Sequence, residues 1–370
     1  MQEEGFEKLR RDVIEPGLCT RCGGCVASCP VDVLEYGPER IRLKGECINC
    51  GTCLRICPGH GVDFSSLEKD IFGRCRRSKY GTIYGIHRKR MNLVASDREI
   101  FRRGYTGGRV TAVLINALDR GMIDGAMVTD WGDGGHLSVG SARIARNRNE
   151  VLESASSKYL FSPLLTLLKE VRDDTTLKRV ALVGLPCHME AFRKMERDPV
   201  ARELTHKIRY LIGLNCGAPN MDEGSWRKAV ERLTGVKGDE ITEFKNWKIK
   251  SDVLRFHVES GDGSSMETDV SLWRYIKVIY DLPTWSRCEM CPDYSGELSD
   301  ITFGGPTVRT ERGEDLVGSA LANGMLKRGK MKNSLTRIIG DIIIYLRKIR
   351  RTKKTIKERG KECLPIPDFK

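Results

Sequence analysis

Two stretches of the chain, CTRCGGCVASCP at residues 19–30 and CINCGTCLRICP at 47–58, place four cysteines at one spacing and close on proline. Four thiolates on a short, turn-rich loop can wrap one face of an iron–sulfur cube, and the proline then turns the chain away. In the bacterial run C-x2-C-x2-C-x3-C-P the fourth cysteine ligates the other cluster. The pattern therefore assigns Cys19, Cys22, Cys25 and Cys57 to one [4Fe–4S] cluster, and Cys47, Cys50, Cys53 and Cys29 to a second. Each run completes its neighbour's cluster, so the two must fold as one pseudo-symmetric unit, residues 1–68. Zinc ribbons also pair C-x2-C units, but they need neither three cysteines at successive x2 spacing nor an exact repeat.

Residues 17–60 resemble bacterial-type ferredoxins, which pass one electron at a time and imply a redox centre elsewhere in the chain. The 370 residues leave room for a second unit with a full core. Fourteen cysteines suit metal binding in a reducing setting better than disulfides, because Met1 leads into the charged QEEGFEKLRRD rather than a secretory leader. No apolar run approaches the roughly 18–20 residues that span a bilayer. The expected location is cytoplasmic. Of the net charge of +13, +11 falls in residues 327–370, which hold fifteen Lys or Arg and four Asp or Glu. The basicity belongs to a tail and gives no reason to expect nucleic acid.

Residues 64–92 are Gly-punctuated and read as a joint into a second unit, 69–326. Val110, Val113, Leu114, Ala117 and Leu118 recur at helical spacing. MIDGAMVT (122–129), RVALVG (179–184) and IRYLIGL (208–214) read as buried strands. A helix over 162–171 has Ser162 as N-cap and Pro163 at its first position, and HMEAFRKM forms another. Helices alternating with apolar strands predict parallel α/β organisation, while FKNWKIK and DVLRFHVE predict an antiparallel ribbon. In the tail, Leu335, Ile338, Ile339, Ile342, Leu346 and Ile349 repeat at helical spacing ahead of Arg347, Lys348, Arg350, Arg351, Lys353 and Lys354. That combination predicts a helix that docks on an anionic membrane surface, here the inner face, or on an acidic partner. The alternative is a helix packed on its own domain.

The other cysteines include an ordered group. Cys187 and Cys216 follow predicted strands, and Cys288 and Cys291 form CEMC. Residues that follow strands of an open parallel sheet gather at its carboxyl edge, so four thiolates can meet there. On spacing alone a third [4Fe–4S] cluster, a zinc site and inert core cysteines all stay open. GYTGGRVTAVLINAL opens a helix on a Gly-Gly turn, and SSKYLFSP sets a lysine and a tyrosine beside serines. Either can contact phosphate, and either can be only a turn.

In this order TGGRVTAVLINAL, GMIDGAMVT, SSKYLFSP, GLPCHMEAF, IGLNCG and CEMCPDYSGELSDITFGG are similar to the beta-subunit family of coenzyme F420 hydrogenases and dehydrogenases, over about residues 70–315. With the ferredoxin-like unit in front, the chain resembles the input subunit of the archaeal F420H2 dehydrogenase. The resemblance implies an α/β flavin-binding unit with FAD, a [4Fe–4S] cluster on Cys187, Cys216, Cys288 and Cys291, and hydride exchange with coenzyme F420. It implies a flavin site at Gly107, Gly108, Thr111, Ser157, Lys158 and Tyr159, and a partner redox protein or membrane-bound complex. Two departures stand out: His188 occupies a position where glutamine is expected, and PTVRTERGE follows DITFGG sooner than in the family. An electron-transfer adaptor without a substrate site, and a flavin reductase with another substrate, are the competing functions. No acid–base residue is assigned, and no role is assigned to Cys75 or Cys363.

Overall fold

The computed structural model describes residues 5–37, 41–76, 83–104, 107–131, 140–156, 158, 161–217, 221, 223–250, 253–282, 286–329 and 332–359. The N-terminal unit is built on the two cysteine runs. Gly23 and Gly51 occupy equivalent left-handed positions (φ 84° and 72°) at the start of short helices, Gly24–Ser28 and Thr52–Arg55. The repeat in sequence is thus a repeat in backbone. A small ribbon, β1 (Leu34–Tyr36) with β2 (Ile41–Leu43), covers Leu9, Val13 and Leu54.

Residues 64–92 are not a plain joint. Phe64–Phe72 is a helix, capped by the Asp63 carboxylate on the Ser66 amide and ended by Gly73 in the left-handed conformation. Phe64 and Leu67 enter the same apolar core as Cys22, Ala27, Ile56, Leu165 and Leu182. The ferredoxin-like unit is therefore fused to the second unit by a shared core.

The main sheet contains seven strands: β3 (Lys89–Arg90), β5 (Gly125–Thr129), β6 (Ala142–Ala145), β7 (Val180–Gly184), β8 (Ile208–Leu214), β12 (Ile301–Phe303) and β13 (Thr307–Val308). Their order is β3-β13-β12-β8-β7-β5-β6. The central four, β12, β8, β7 and β5, are parallel, and antiparallel strands cover both edges. In β7, Ala181 and Val183 enter the core formed with the helix Arg109–Asp119, while Val180 and Leu182 enter the opposite core with the helix Pro186–Arg197. Burial on both faces is why these strands read as unbroken apolar runs. A hairpin of β4 (Leu93–Ala95) and β14 (Leu326–Arg328) stands beside the sheet, so residues 327–328 belong to this unit and not to a tail.

The expected ribbon is three-stranded, β11-β10-β9, from β9 (Ile241–Lys250), β10 (Val253–Ser260) and β11 (Ser265–Ser271). It packs Phe244, Leu254 and Phe256 against Trp226 and Tyr275 of two helices. The early arrival of PTVRTERGE is explained by a tight reversal: β12 turns directly into β13, and any side chain at Gly304 would strike Asn215.

Ser162 is not an N-cap. Its hydroxyl accepts from Thr129 at 2.8 Å, and the following segment starts as a 3-10 turn, Leu164–Leu167, before the helix Leu168–Asp173. A tertiary partner outcompetes the local cap. The C-terminal helix, Lys332–Arg359, buries Tyr345, Ile349 and Thr352 against its own domain. The expected apolar stripe is divided: Ile339, Ile342 and Leu346 are exposed, with Ile343, while Ile349 is buried.

Candidate redox centre

Strands β7 and β8 are parallel neighbours, so their carboxyl ends lie side by side. Cys187 sits two residues into the helix that begins at Pro186, and Cys216 lies two residues beyond β8. Cys288 belongs to the short helix Ser286–Met290, and Cys291 follows it. The loop after Cys291 is held by the Asp293 carboxylate, which accepts the amides of Ser295, Gly296 and Glu297, and the Tyr294 carbonyl accepts the Cys216 amide at 2.8 Å. Cys187, Cys216, Cys288 and Cys291 together line one cavity of about 440 Å³.

Two smaller cavities lie in the N-terminal unit. Cys19, Cys22, Cys25 and Cys57 line one; Cys29, Cys47, Cys50 and Cys53 line the other. The grouping is the crossed one: the fourth cysteine of each run stands with the first three of its partner run. Thr20 lines both the first of these and the core cavity. Arg287 bridges the same boundary, its amide donating to the Gly17 carbonyl (3.2 Å) and its Nη2 to that of Pro58 (3.3 Å).

Without a bound group, the thiols sit in surroundings that disfavour their charge. Burial pushes Cys19 up to about 12 and Cys22 up to about 11, with Cys57 adding to the rise in both. Burial likewise holds Cys187 well above the ordinary thiol range, reinforced by Cys22 and Cys216. Cations oppose this. Arg287 is buried beside Glu190, and its Nε and Nη1 have no hydrogen-bond partner among the described residues. Lys348, from the C-terminal helix, donates to the carbonyls of Cys216 (2.9 Å) and Asp293 (2.6 Å) and lies 4.0 Å from Cys291 Sγ. Burial works against its charge, but Cys291, Cys216, Asp293 and Cys288 outweigh it and hold the ammonium above the usual lysine range.

Among the described residues no three Cys, His, Asp or Glu side chains converge closely enough for a single metal ion. The donor chemistry of the cavities fits a larger group: four thiols each, and in the lining of the core cavity an arginine with two buried donors left unpartnered. An iron–sulfur cube carries acceptor sulfurs that such donors suit.

His188 explains its own departure from glutamine. The Leu185 amide donates to Nδ1 at 3.0 Å, so Nε2 carries the proton and donates to the Ser162 carbonyl at 2.9 Å. Burial lowers this histidine to about 4, so it is neutral at pH 7. A glutamine amide offers the same acceptor and donor.

The flavin candidates are less unified. Gly107 and Gly108 both have positive φ, and Gly108 precedes the helix Arg109–Asp119. A Cβ on Gly108 would lie 2.2 Å from the Ile100 carbonyl oxygen, so packing against the preceding helix already demands glycine there. Thr111 is buried in that helix's first turn. Lys158 donates to the carbonyls of Ser154 and Ala155, 5.8 Å from the Trp131 ring. Ser157 and Tyr159 lie outside the described residues. The 440 Å³ cavity is lined by none of Gly107, Gly108, Thr111 or Lys158. Arg287 was not singled out from sequence, and Lys348 was named only within the basic run of the tail, not as a residue of this site. The SRCEMC run offers a clue to Arg287, a cation next to a thiol, whereas nothing local marks Lys348.

No described helix is long and apolar enough to cross a membrane. Family models match three segments: a 4Fe-4S dicluster domain over residues 11–78, and the N-terminal and C-terminal regions of the coenzyme F420 hydrogenase/dehydrogenase beta subunit over 91–169 and 177–334. The chain is 27% identical to the coenzyme F420 hydrogenase subunit beta of Methanococcus voltae, over 77% of this chain and 99% of that one. It is 29% identical to the coenzyme F420-dependent sulfite reductase of Methanocaldococcus jannaschii, over 84% of this chain but only 47% of that longer protein. A chain of the F420-reducing [NiFe] hydrogenase complex from Methanosarcina barkeri superposes with a TM-score of 0.58 at 25% identity, covering 75% of this chain and 94% of that one. With two models spanning well over half its length, this chain belongs to the coenzyme F420 hydrogenase/dehydrogenase beta-subunit family and carries an N-terminal 4Fe-4S dicluster domain.

Proposed function

We propose that the chain is an iron–sulfur flavoprotein that oxidises reduced coenzyme F420, or reduces F420 in the reverse direction, by hydride exchange with FAD. Single electrons then pass through three [4Fe–4S] clusters to a partner redox protein or complex. When bound, the flavin supplies two-electron exchange with the deazaflavin, and the clusters supply one-electron transfer.

The twelve motif cysteines are the proposed ligands, in the three sets that line the three cavities. The observation that carries the reading is Thr20: it belongs to the walls of both the core cavity and the cavity of Cys19, Cys22, Cys25 and Cys57, so the two sets are neighbours. The set of Cys29, Cys47, Cys50 and Cys53 then forms the outer end. Val31 and Ile48, 42% and 58% exposed, line its cavity and offer an apolar surface for the electron partner. Gly107, Gly108, Thr111, Ser157, Lys158 and Tyr159 are the proposed flavin contacts. Lys158 supports this as a largely buried cation whose hydrogen bonds go to backbone carbonyls, suited to a phosphate. The protein's task at the hydride step is alignment and exclusion of water.

The test is reduction of the anaerobically purified chain by reduced F420, compared with nicotinamide cofactors. Stoichiometric flavin, about twelve irons at four per cubane, and bleaching by reduced F420 alone are expected. A flavin-free protein that still relays electrons would be an adaptor, and bleaching by a nicotinamide instead would assign another substrate.

A further inference from the structure

The family match ends at residue 334, yet the helix Lys332–Arg359 closes one side of the core cysteine cavity. It contributes Arg347, Lys348, Arg350 and Arg351 to the lining. Two anchors set its register. Asp341 accepts from Tyr294 (2.6 Å) and Tyr84 (2.9 Å), and one turn beyond Lys348 the Thr352 hydroxyl donates to the Glu289 carbonyl (3.4 Å). Tyr345 and Ile349, on the same buried face, pack beside Tyr294. Between these anchors Lys348 can only point inward.

Among the basic residues that line the cavity, Arg287 and Lys348 differ in compensation. Arg287 faces the Glu190 carboxylate at 3.5 Å, whereas Lys348 has no carboxylate within salt-bridge reach among the described residues. Its hydrogen bonds go to carbonyl oxygens and its nearest thiol is Cys291. Lys348 is only partly exposed, and withdrawing an ammonium from water without a counter-ion is costly.

We propose that Lys348 is a positioning residue of the core iron–sulfur site, a fixed positive charge that favours the site's reduced state, delivered by a helix that lies almost wholly beyond the C-terminal family-model match. The inference rests on reading Cys187, Cys216, Cys288 and Cys291 as ligands of a [4Fe–4S] cluster. One-electron reduction makes such a site one unit more negative. An ammonium 4.0 Å from a ligand sulfur therefore stabilises the reduced form more than the oxidised one. Hydrogen bonds and net charge near the sulfurs are the recognised levers on these potentials.

The experiment is an EPR-monitored reductive titration of the anaerobically purified full chain and its Lys348→Met and Lys348→Arg variants. Dithionite is the electron donor, and the core signal is identified by its loss in Cys288→Ser. Lys348→Met should keep the parental iron content while its core signal becomes harder to reduce by at least tenfold in the reduced-to-oxidised ratio, about 59 mV for one electron. The two N-terminal signals should not move, and Lys348→Arg should restore the core midpoint. If Lys348→Met loses core iron but Lys348→Arg retains it at the parental midpoint, the requirement for charge stands. A parental midpoint in Lys348→Met overturns the proposal, as does equal loss of core iron in both variants, which would make Lys348 only packing. If Cys288→Ser loses no iron, the cluster reading itself fails and the proposal falls with it; an unchanged Lys348→Met midpoint removes the proposal alone.

Discussion

The Arg287 guanidinium donates to the Pro58 carbonyl at 3.3 Å, although the two residues lie in different units and next to ligand candidates of different sets, Cys288 and Cys57. Arg287 is 4% exposed and Glu190, which it faces, 2%. Breaking a buried pair of this kind by removing one partner costs about 3–5 kcal/mol. Arg287→Met should therefore lower the thermal midpoint sharply and loosen the N-terminal unit from the core cavity, seen as faster amide exchange at residues 17–19 and 59–60. Arg287→Lys keeps the charge but not the fork, and should fall between. Wild-type exchange in Arg287→Met would show that the other contacts between the units, among them Arg55 with Asp198 and Lys194 with the Cys57 carbonyl, hold them together without it.

The crossed grouping of cysteines makes a pairing prediction. Cys57→Ser should disturb the same EPR signal as Cys19→Ser, and Cys29→Ser the same signal as Cys47→Ser. If instead Cys29→Ser and Cys19→Ser share a signal, each run serves its own cluster and the crossed assignment is wrong. In either N-terminal variant the core signal should persist, while Cys288→Ser should remove about a third of the iron, as expected for one cubane of three.

Much of this architecture was legible because its determinants are local. The spacing of Cys19 to Cys29 and Cys47 to Cys57 encodes the repeat, and the unbroken runs at 180–184 and 208–214 encode doubly buried strands. The helix Phe64–Phe72 was readable as well, from Asp63 at its start and Gly73 past its end, but the glycines and charges that follow it disguised it as part of a joint. What stayed hidden depends on contacts distant in sequence. Ser162 has the composition of a cap, yet Thr129 claims its hydroxyl from 33 positions away. Lys348 sits in a dense basic run that reads as a docking face for a membrane surface or an acidic partner, and its partner Cys216 lies 132 positions upstream. The apolar period of the tail was real, but its most apolar side faces outward and a mixed face of Asp341, Tyr345, Lys348, Ile349 and Thr352 faces in. Period alone does not say which side a helix buries when hydrogen bonds hold the other.

Lys158 supplies a pH dependence. Burial lowers its amine to about 8 from an ordinary 10.5, with Arg143 acting in the same direction and Asp130 against it. Below pH 8 both folded and unfolded chains hold the proton, and the full cost of burying the charge is present. Between pH 8 and 10.5 the unfolded chain binds more protons, so stability rises with pH across that window, by at most about 3 kcal/mol. Lys158→Met should lack the rise, and the stability gap between the two proteins should shrink or reverse over those pH values in chemical denaturation. Saturation with FAD should move the rise to higher pH if a phosphate pairs with the ammonium. A rise unaffected by flavin would remove Lys158 from the flavin site.

The last prediction separates the two faces of the C-terminal helix. Its inner face buries Tyr345 and Ile349 against Tyr294, and each large apolar side chain so placed stabilises by about 1.5–3 kcal/mol. Its outer face exposes Ile339, Ile342, Ile343 and Leu346 beside Lys354, which is also exposed. Deleting residues 332–370 removes both at once, and should lower the thermal midpoint, open the core cavity and release about a third of the iron while the N-terminal EPR signals remain. A surface role for the helix is tested only by leaving the inner face intact. The triple variant Ile339→Ser, Ile342→Ser, Leu346→Ser should change stability by no more than about 0.5 kcal/mol per site, since exposed positions away from caps and buried partners rarely contribute more. If that variant also loses salt-sensitive binding to anionic vesicles or to an acceptor protein, the outer face is a docking surface. If it binds as the parent does, or if the deletion keeps its iron and its midpoint, the division of labour between the faces is wrong. The deletion result bears on the inner face alone, because Tyr345, Lys348 and Thr352 hold the wall of the core cavity whether or not anything covers the isoleucines outside.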